Sequence, residues 1–85
     1  MKGLIAQNYR IDRTPMPYAS NEDLPASVRD HLPPRAQTIY REVFNHAWQT
    51  YAGNPRQEEV AHRVAWAAVK RSYVKRDDQW QPLAR

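Results

Sequence analysis

The clearest pattern of hydrophobic and polar positions runs from Ala36 to Tyr51. Apolar residues recur there at alternating intervals of three and one, which places them on one side of a helix. The stripe consists of Ala36, Ile39, Tyr40, Val43, Phe44, Ala47, Trp48 and Tyr51. Polar residues, Asn45 among them, fall on the other side, and Gly53 follows as a residue that can take the left-handed conformation and end the helix. The pattern predicts a long amphipathic helix that buries an aromatic stripe.

A second long helix is indicated immediately afterwards. Asn54 is a good capping residue, Pro55 suits the first helical position, and Gln57 stands where a capping-box partner would reach back. The apolar residues that follow cover more than half of the helix circumference, so we expect this helix to be the central one, covered from two sides. Its bulkier edge consists of His62, Trp66, Val69 and Tyr73. The short loop before it predicts an antiparallel or steeply crossed helix pair.

A shorter first helix is expected over residues 24–32. Asn21 or Asp23 can cap its free N–H groups, and Pro25 fits its first turn. The two prolines after Leu32 end it, since a residue before proline is pushed out of the α region. One apolar edge, spaced by four, is formed by Leu24, Val28 and Leu32.

The segments outside these helices set the predicted domain bounds. Residues 1–15 form an N-terminal leader or arm, for which a short edge strand and an unstructured leader are both open interpretations. Residues 16–80 form one helical domain, and residues 81–85 form a C-terminal tail. The chain after Arg76 shows no periodicity, although Trp80 is large enough to fold back onto the domain. The fold class is therefore all-α, with three helices in a compact array.

Length and composition restrict the class of protein. The 85 residues allow one small domain, and the absence of cysteine excludes disulfides and thiolate chemistry. The longest strictly apolar run, Val64 to Val69, is far shorter than the ~20 residues of a membrane span. The first residues lack the apolar stretch of a signal peptide. We expect a cytoplasmic protein without a membrane span.

Catalysis and metal binding find little support in the residues. The serines stand in no motif that activates a hydroxyl, and two glycines cannot build a phosphate-binding loop. No two of His31, His46 and His62 share the i, i+4 spacing of a helical metal pair. Glu58 and Glu59 can each reach His62, which favours a structural ion pair or core-edge histidine over a ligand. We expect a non-enzymatic protein without metal or cofactor.

The net charge of +4 raises the possibility of a nucleic-acid partner. The candidate contacts are Lys70, Arg71, Lys75 and Arg76. On a helix that continues through all four, these side chains ring the helix instead of forming the one-sided track that phosphates need. Nucleic-acid binding is therefore kept as the alternative function.

Nine aromatic residues are many for so small a domain, and some are expected to stay partly exposed. Exposed Trp or Tyr on a small non-enzymatic domain is typical of protein–protein contacts. We predict a partner surface beside the second long helix that includes Glu59, Arg63 and Lys70.

Specific motifs also carry a family resemblance. They are Met16-Pro17-Tyr18, Leu24-Pro25, Leu32-Pro33, Ala36-Gln37-x-Ile39-Tyr40, Phe44-Asn45-x-Ala47-Trp48 and Glu58-Glu59-x-Ala61-His62-x-Val64-Ala65-Trp66-Ala67-Ala68-Val69-Lys70. Together they resemble the ChaB family of small bacterial proteins, which also has baculoviral relatives. The resemblance implies three helices and a minor two-stranded sheet, which we place near the N-terminal arm. It further implies regulation of cation transport, through a sodium/calcium–proton antiporter contacted from the cytoplasmic side.

Overall fold

Three helices followed by one β-hairpin make up the part of the chain that the structure describes. A computed structural model describes residues 17–83; expectations for residues 1–15 lie outside this range. A short 3-10 turn, Asn21–Asp23, precedes the first helix. The elements are α1 (Ala26–Arg29), α2 (Pro34–Thr50), α3 (Gln57–Ser72), β1 (Tyr73–Arg76) and β2 (Gln79–Pro82). The predicted helical fold and the two-stranded sheet are confirmed.

Helix α2 follows the predicted aromatic stripe. It begins at Pro34, whose missing N–H costs nothing in the first turn, and Gly53 adopts φ +88° just beyond its end. Tyr40 and Phe44 are almost completely buried, whereas Tyr51 at the end of the stripe stays 39% exposed. Half of the stripe is therefore in the core, and Ile39, Val43 and Trp48 pack against the core while remaining partly buried.

Helix α3 runs antiparallel to α2. The Gln57 side chain donates to the carbonyl of Trp48 at 2.7 Å, and farther along the pair the rings of Tyr40 and Trp66 meet at 5.2 Å. Its buried row consists of Ala61, Ala65 and Val69. Ala67 is exposed, so the expectation that α3 is central and covered from two sides is wrong. The small alanines instead let α3 lie close to α2, which supplies the large buried rings.

The predicted capping box at the start of α3 is also wrong. The helix begins at Gln57, and Asn54 Oδ1 accepts a hydrogen bond from the Arg56 N–H at 2.7 Å in the turn before it. The Gln57 side chain turns towards α2 because the Trp48 carbonyl lies in the last turn, where carbonyls lack helical partners. This contact ties the two helices together.

Helix α1 is a single turn, shorter than the predicted helix over residues 24–32. The preceding 3-10 turn has its own capping box, in which Asp23 Oδ2 accepts from the Ser20 N–H at 3.1 Å. Leu24 then adopts an extended conformation that separates the two turns. The predicted apolar edge is confirmed, since Leu24, Val28 and Leu32 are all buried.

A β-hairpin at the C-terminal end replaces the continued helix and unpatterned tail that the sequence predicted. Helix α3 stops at Ser72, and β1 and β2 pair antiparallel across a two-residue turn. Asp77 and Asp78 occupy the turn with φ of 52° and 65°, the left-handed conformation that such turns require. The sheet is formed by the chain directly after α3, whereas the arm with which we expected it lies outside the described residues. As expected, Trp80 folds back onto the domain and packs on Trp66.

Among residues 17–83, Asn45 is the polar residue that lies buried in the core. Its side chain donates to the Tyr18 carbonyl at 2.8 Å and accepts from the Tyr18 N–H at 3.2 Å. The sequence placed Asn45 on the polar side of α2, which is wrong because the segment around Tyr18 covers that position. Both hydrogen bonds fix this segment against α2.

Candidate functional site

A cleft opens where α1, the C-terminal half of α3 and the hairpin meet. Its volume is about 400 Å³, within the usual range for small binding sites. The described residues that line it are Ser27, His31, Trp66, Lys70, Lys75 and Trp80. The lining thus combines two indole rings and two lysines, with no carboxylate among these residues.

The hairpin register places Lys75 and Trp80 on the cleft side together. They are directly paired across the ladder, and paired side chains lie on the same face of a sheet. Trp66 and Lys70 are four residues apart on α3 and therefore neighbours on one helix face. The two indole rings meet at 5.7 Å with a tilt of 32°. Helix α3 and the hairpin thus each contribute one tryptophan and one lysine to the cleft.

Helix α1 and the turn after it provide the polar wall of the cleft. His31 Nδ1 lies 2.9 Å from the Ser27 carbonyl, and because a carbonyl only accepts, Nδ1 carries the proton of this bond. In the neutral ring, Nε2 is then an acceptor. His31 is accordingly positioned by a contact with the backbone of α1.

The predicted partner surface on α3 is exposed and reaches the cleft. Glu59 and Arg63 form an i, i+4 ion pair at 3.4 Å, and Arg56 approaches Glu59 at 3.9 Å. Lys70 lies two turns beyond Arg63 on the same side of α3 and also lines the cleft. We call Glu59, Arg63 and Lys70 the α3 ridge.

The four basic residues considered for nucleic-acid contact do not ring one helix, so that expectation is wrong. Lys70 and Arg71 belong to α3, whereas Lys75 and Arg76 belong to β1. Neighbours along a strand point to opposite faces, so Arg76 projects away from the face that carries Lys75. The set divides into a cleft pair, Lys70 and Lys75, and two arginines outside the cleft lining.

His62 takes part in a polar cluster between the two long helices. Its Nδ1 shares a hydrogen bond with the hydroxyl of Tyr40, and its Nε2 lies 3.7 Å from Glu58. The ring also packs 4.7 Å from that of Phe44. Burial, with repulsion from Tyr18 and Glu58, raises the pKa of Tyr40 above its usual range. The predicted contact of Glu58 with His62 is confirmed. His62 therefore contributes to packing between the two long helices through its contacts with Tyr40 and Phe44.

The described part of the chain, residues 17–83, shows neither a metal-binding cluster nor a membrane-spanning helix. Within it, no group of three or more histidine, aspartate or glutamate side chains is placed to hold one metal ion. None of its helices has the length and apolar character needed to cross a membrane.

Known proteins resemble this chain over most of its length. A profile of the ChaB family matches residues 24–83. The proteins named "Putative cation transport regulator ChaB" in Escherichia coli K12 and in Shigella flexneri are each 51% identical over 69 residues, covering 74% of this chain and 91% of theirs. A solution NMR structure of a protein with the same name is 48% identical, covers 80% of this chain and 100% of its own, and superposes with a TM-score of 0.71.

Proposed function

Because the chain belongs to the ChaB family, we propose that it is a non-enzymatic regulator of cation transport that acts by binding another protein. The relatives' shared name supports the regulatory role. We further propose that the partner is a cation/proton antiporter, contacted at its cytoplasmic face.

The observation that carries the proposal is the pair of half-buried indoles beside lysines at the end of the α3 ridge. Trp66 and Trp80 keep part of their surface in an open cleft, although both pack against the core. Aromatic residues of this kind contribute much of the binding energy in protein interfaces when a partner covers them. The α3 ridge extends that surface with charges that can set orientation and partner choice.

Co-purification tests the proposal. The full chain, tagged and expressed in bacterial cells, is used to capture the sodium/calcium–proton antiporter from detergent-solubilised membranes. We expect Arg63→Glu with Lys70→Glu to abolish capture, because the charges of both basic residues of the ridge are reversed.

The matched control reverses two charges outside this surface. Arg71→Glu with Arg76→Glu makes the same net change and is expected to leave capture intact. Capture that survives the ridge double variant would contradict the assigned surface, and absence of capture by the unmodified protein would contradict the antiporter as partner.

Nucleic-acid binding is the second candidate, and the lining of the cleft favours it. Lys70 and Lys75 flank two aromatic rings, and in single-stranded nucleic-acid sites lysines bind the phosphates while aromatic rings stack on the bases. Fluorescence anisotropy with labelled single-stranded DNA and RNA across a salt series tests this candidate. Tight binding with a steep salt dependence would support it, and no binding at low salt would exclude it.

A further inference from the structure

We infer that the cleft binds a short acidic protein segment that carries one apolar side chain. This inference rests on the proposed function, since it names the kind of partner sequence that the regulator would recognise. The cleft (Trp66, Trp80, Lys70 and Lys75 with the α1 wall) supplies a complementary feature for each part of such a segment.

The charge of the cleft specifies the acidic part. Lys70 projects from the last turns of α3 and Lys75 from β1, so two ammonium groups border one opening from two elements. The described lining residues include no carboxylate that would neutralise them within the cleft. Carboxylates of a bound segment would therefore meet complementary charge at this opening.

The indole pair specifies the apolar part. Trp66 packs edge to face on Tyr40 at 5.2 Å and against Trp80 at 5.7 Å, so its position is fixed from two sides. Both indoles nevertheless remain partly exposed at the cleft. Covering this apolar surface with a partner side chain is favourable, because apolar area leaves water and the already fixed indoles lose little side-chain entropy. One aliphatic side chain, placed between flanking carboxylates, fits a cleft of about 400 Å³.

A protein segment fits these features better than a nucleic-acid strand does. A phosphate backbone is bound by a track of several cations, but Arg76 lies on the opposite face of the hairpin from Lys75. The two indoles also pack on each other, and Trp66 packs on Tyr40, so these contacts use ring surface that stacked bases would need. Two lysines suffice for two carboxylates.

Peptide binding to the full 85-residue chain tests the inference. The probe is a fluorescein-labelled peptide of aspartates and glutamates with one central leucine, and its binding is followed by anisotropy at low and moderate salt. One control peptide replaces the leucine by glycine, and another replaces every acid by its amide. Labelled oligothymidylate is measured in parallel.

Adjacent residues of β1 provide matched variants. Lys75→Glu reverses a charge in the cleft, whereas Arg76→Glu makes the same change on the opposite face. We expect Lys75→Glu to weaken peptide binding by about tenfold and Arg76→Glu by less than about twofold. Both control peptides should bind several-fold more weakly than the probe.

Four results would overturn the inference. They are absence of peptide binding at low salt, equal losses in the two variants, affinity that does not depend on the leucine or on the acids, and oligothymidylate binding through Lys75 that is tighter than peptide binding. If the peptide does not bind but antiporter capture is still lost in the ridge double variant, only the inference of an acidic segment is contradicted. Peptide binding without antiporter capture would instead remove the proposed partner.

Discussion

Two aromatic clusters on neighbouring parts of the molecule differ in how far they are covered. The closed cluster consists of Tyr40 and Phe44, and the open cluster consists of Trp66 and Trp80. Their ring separations are similar, 6.1 Å between Tyr40 and Phe44 and 5.7 Å between the two tryptophans. Tyr40 and Phe44 are almost completely buried, whereas both tryptophans remain half-buried.

The difference arises from what lies over each cluster. The closed cluster lies between the two long helices, and Tyr18 covers Phe44 with ring centroids 4.9 Å apart. In the open cluster, Trp80 of the two-stranded hairpin packs on Trp66 of α3, and the cleft lies beside this pair. Similar aromatic contacts therefore form part of the buried core in one place and leave exposed aromatic surface in the other, where we propose that a partner binds.

The largest expected effect comes from truncating the closed cluster. Phe44→Ala removes a ring that is 1% exposed, and a loss of about 3–5 kcal/mol in the free energy of unfolding is expected. A domain of this size is usually stable by only about 3–5 kcal/mol, so the variant should be largely unfolded at room temperature. Circular dichroism and urea denaturation measure this, with Phe44→Leu as the control that retains most of the volume. A fully folded Phe44→Ala protein would contradict the assignment of this ring to the core.

Trp66→Ala is expected to lower the free energy of unfolding by less than Phe44→Ala does, although it removes a larger side chain. Complete burial would predict a loss of about 3–5 kcal/mol, but the exposed part of the ring reduces the expectation to about 1–3 kcal/mol. Urea denaturation of this variant beside Phe44→Ala compares the two clusters directly. Equal losses would show that the open cluster is as important to the fold as the closed one.

Removing only the hydroxyl of Tyr40 is expected to have a smaller effect with a defined pH dependence. Tyr40→Phe loses the hydrogen bond to His62, worth about 1 kcal/mol at neutral pH. Because burial raises the pKa of Tyr40 in the folded protein, the unfolded chain releases this proton first, near pH about 10. The stability contributed by the neutral hydroxyl is thus complete below that pH and is lost as the pH rises further.

Urea denaturation at neutral and at strongly alkaline pH measures this dependence. The unmodified protein should lose stability above pH about 10, and the Tyr40→Phe variant should lose less. Part of the loss should remain in the variant, because the pKa of Tyr18 is also raised by burial and by Glu58. Identical alkaline losses in both proteins would contradict the role assigned to Tyr40.

The closed cluster could be predicted from sequence, because its residues repeat within one helix. Tyr40 and Phe44 are four residues apart in an unbroken stripe, so the helical period alone places them on the buried side. Asn45 beside them could not be placed, since its buried position depends on Tyr18, 27 residues earlier in the chain. Local periodicity carries no information about such a distant contact.

The open cluster could not be predicted, because its geometry depends on where α3 stops. Tyr73 continues the apolar period of the helix, and neither Gly nor Asn marks the turn at Asp77 and Asp78. The sequence therefore indicated a continued helix, which separated Lys75 from the tryptophans. The residue pattern indicated only that Trp80 can fold back, and the family resemblance implied a two-stranded sheet without placing it at Lys75 and Trp80.

The α3 ridge provides the smallest expected change in stability and the sharpest test of the division between folding and binding. Arg63 and Glu59 keep about two thirds of their side-chain surface exposed, at 66% and 60%, so their ion pair contributes little. Arg63→Glu with Lys70→Glu places a like charge one turn from Glu59, and a loss of about 0.5 kcal/mol or less is expected in urea denaturation. A loss as large as that of Trp66→Ala would show that the ridge belongs to the fold, and loss of antiporter capture in this variant would then report unfolding and not a broken contact.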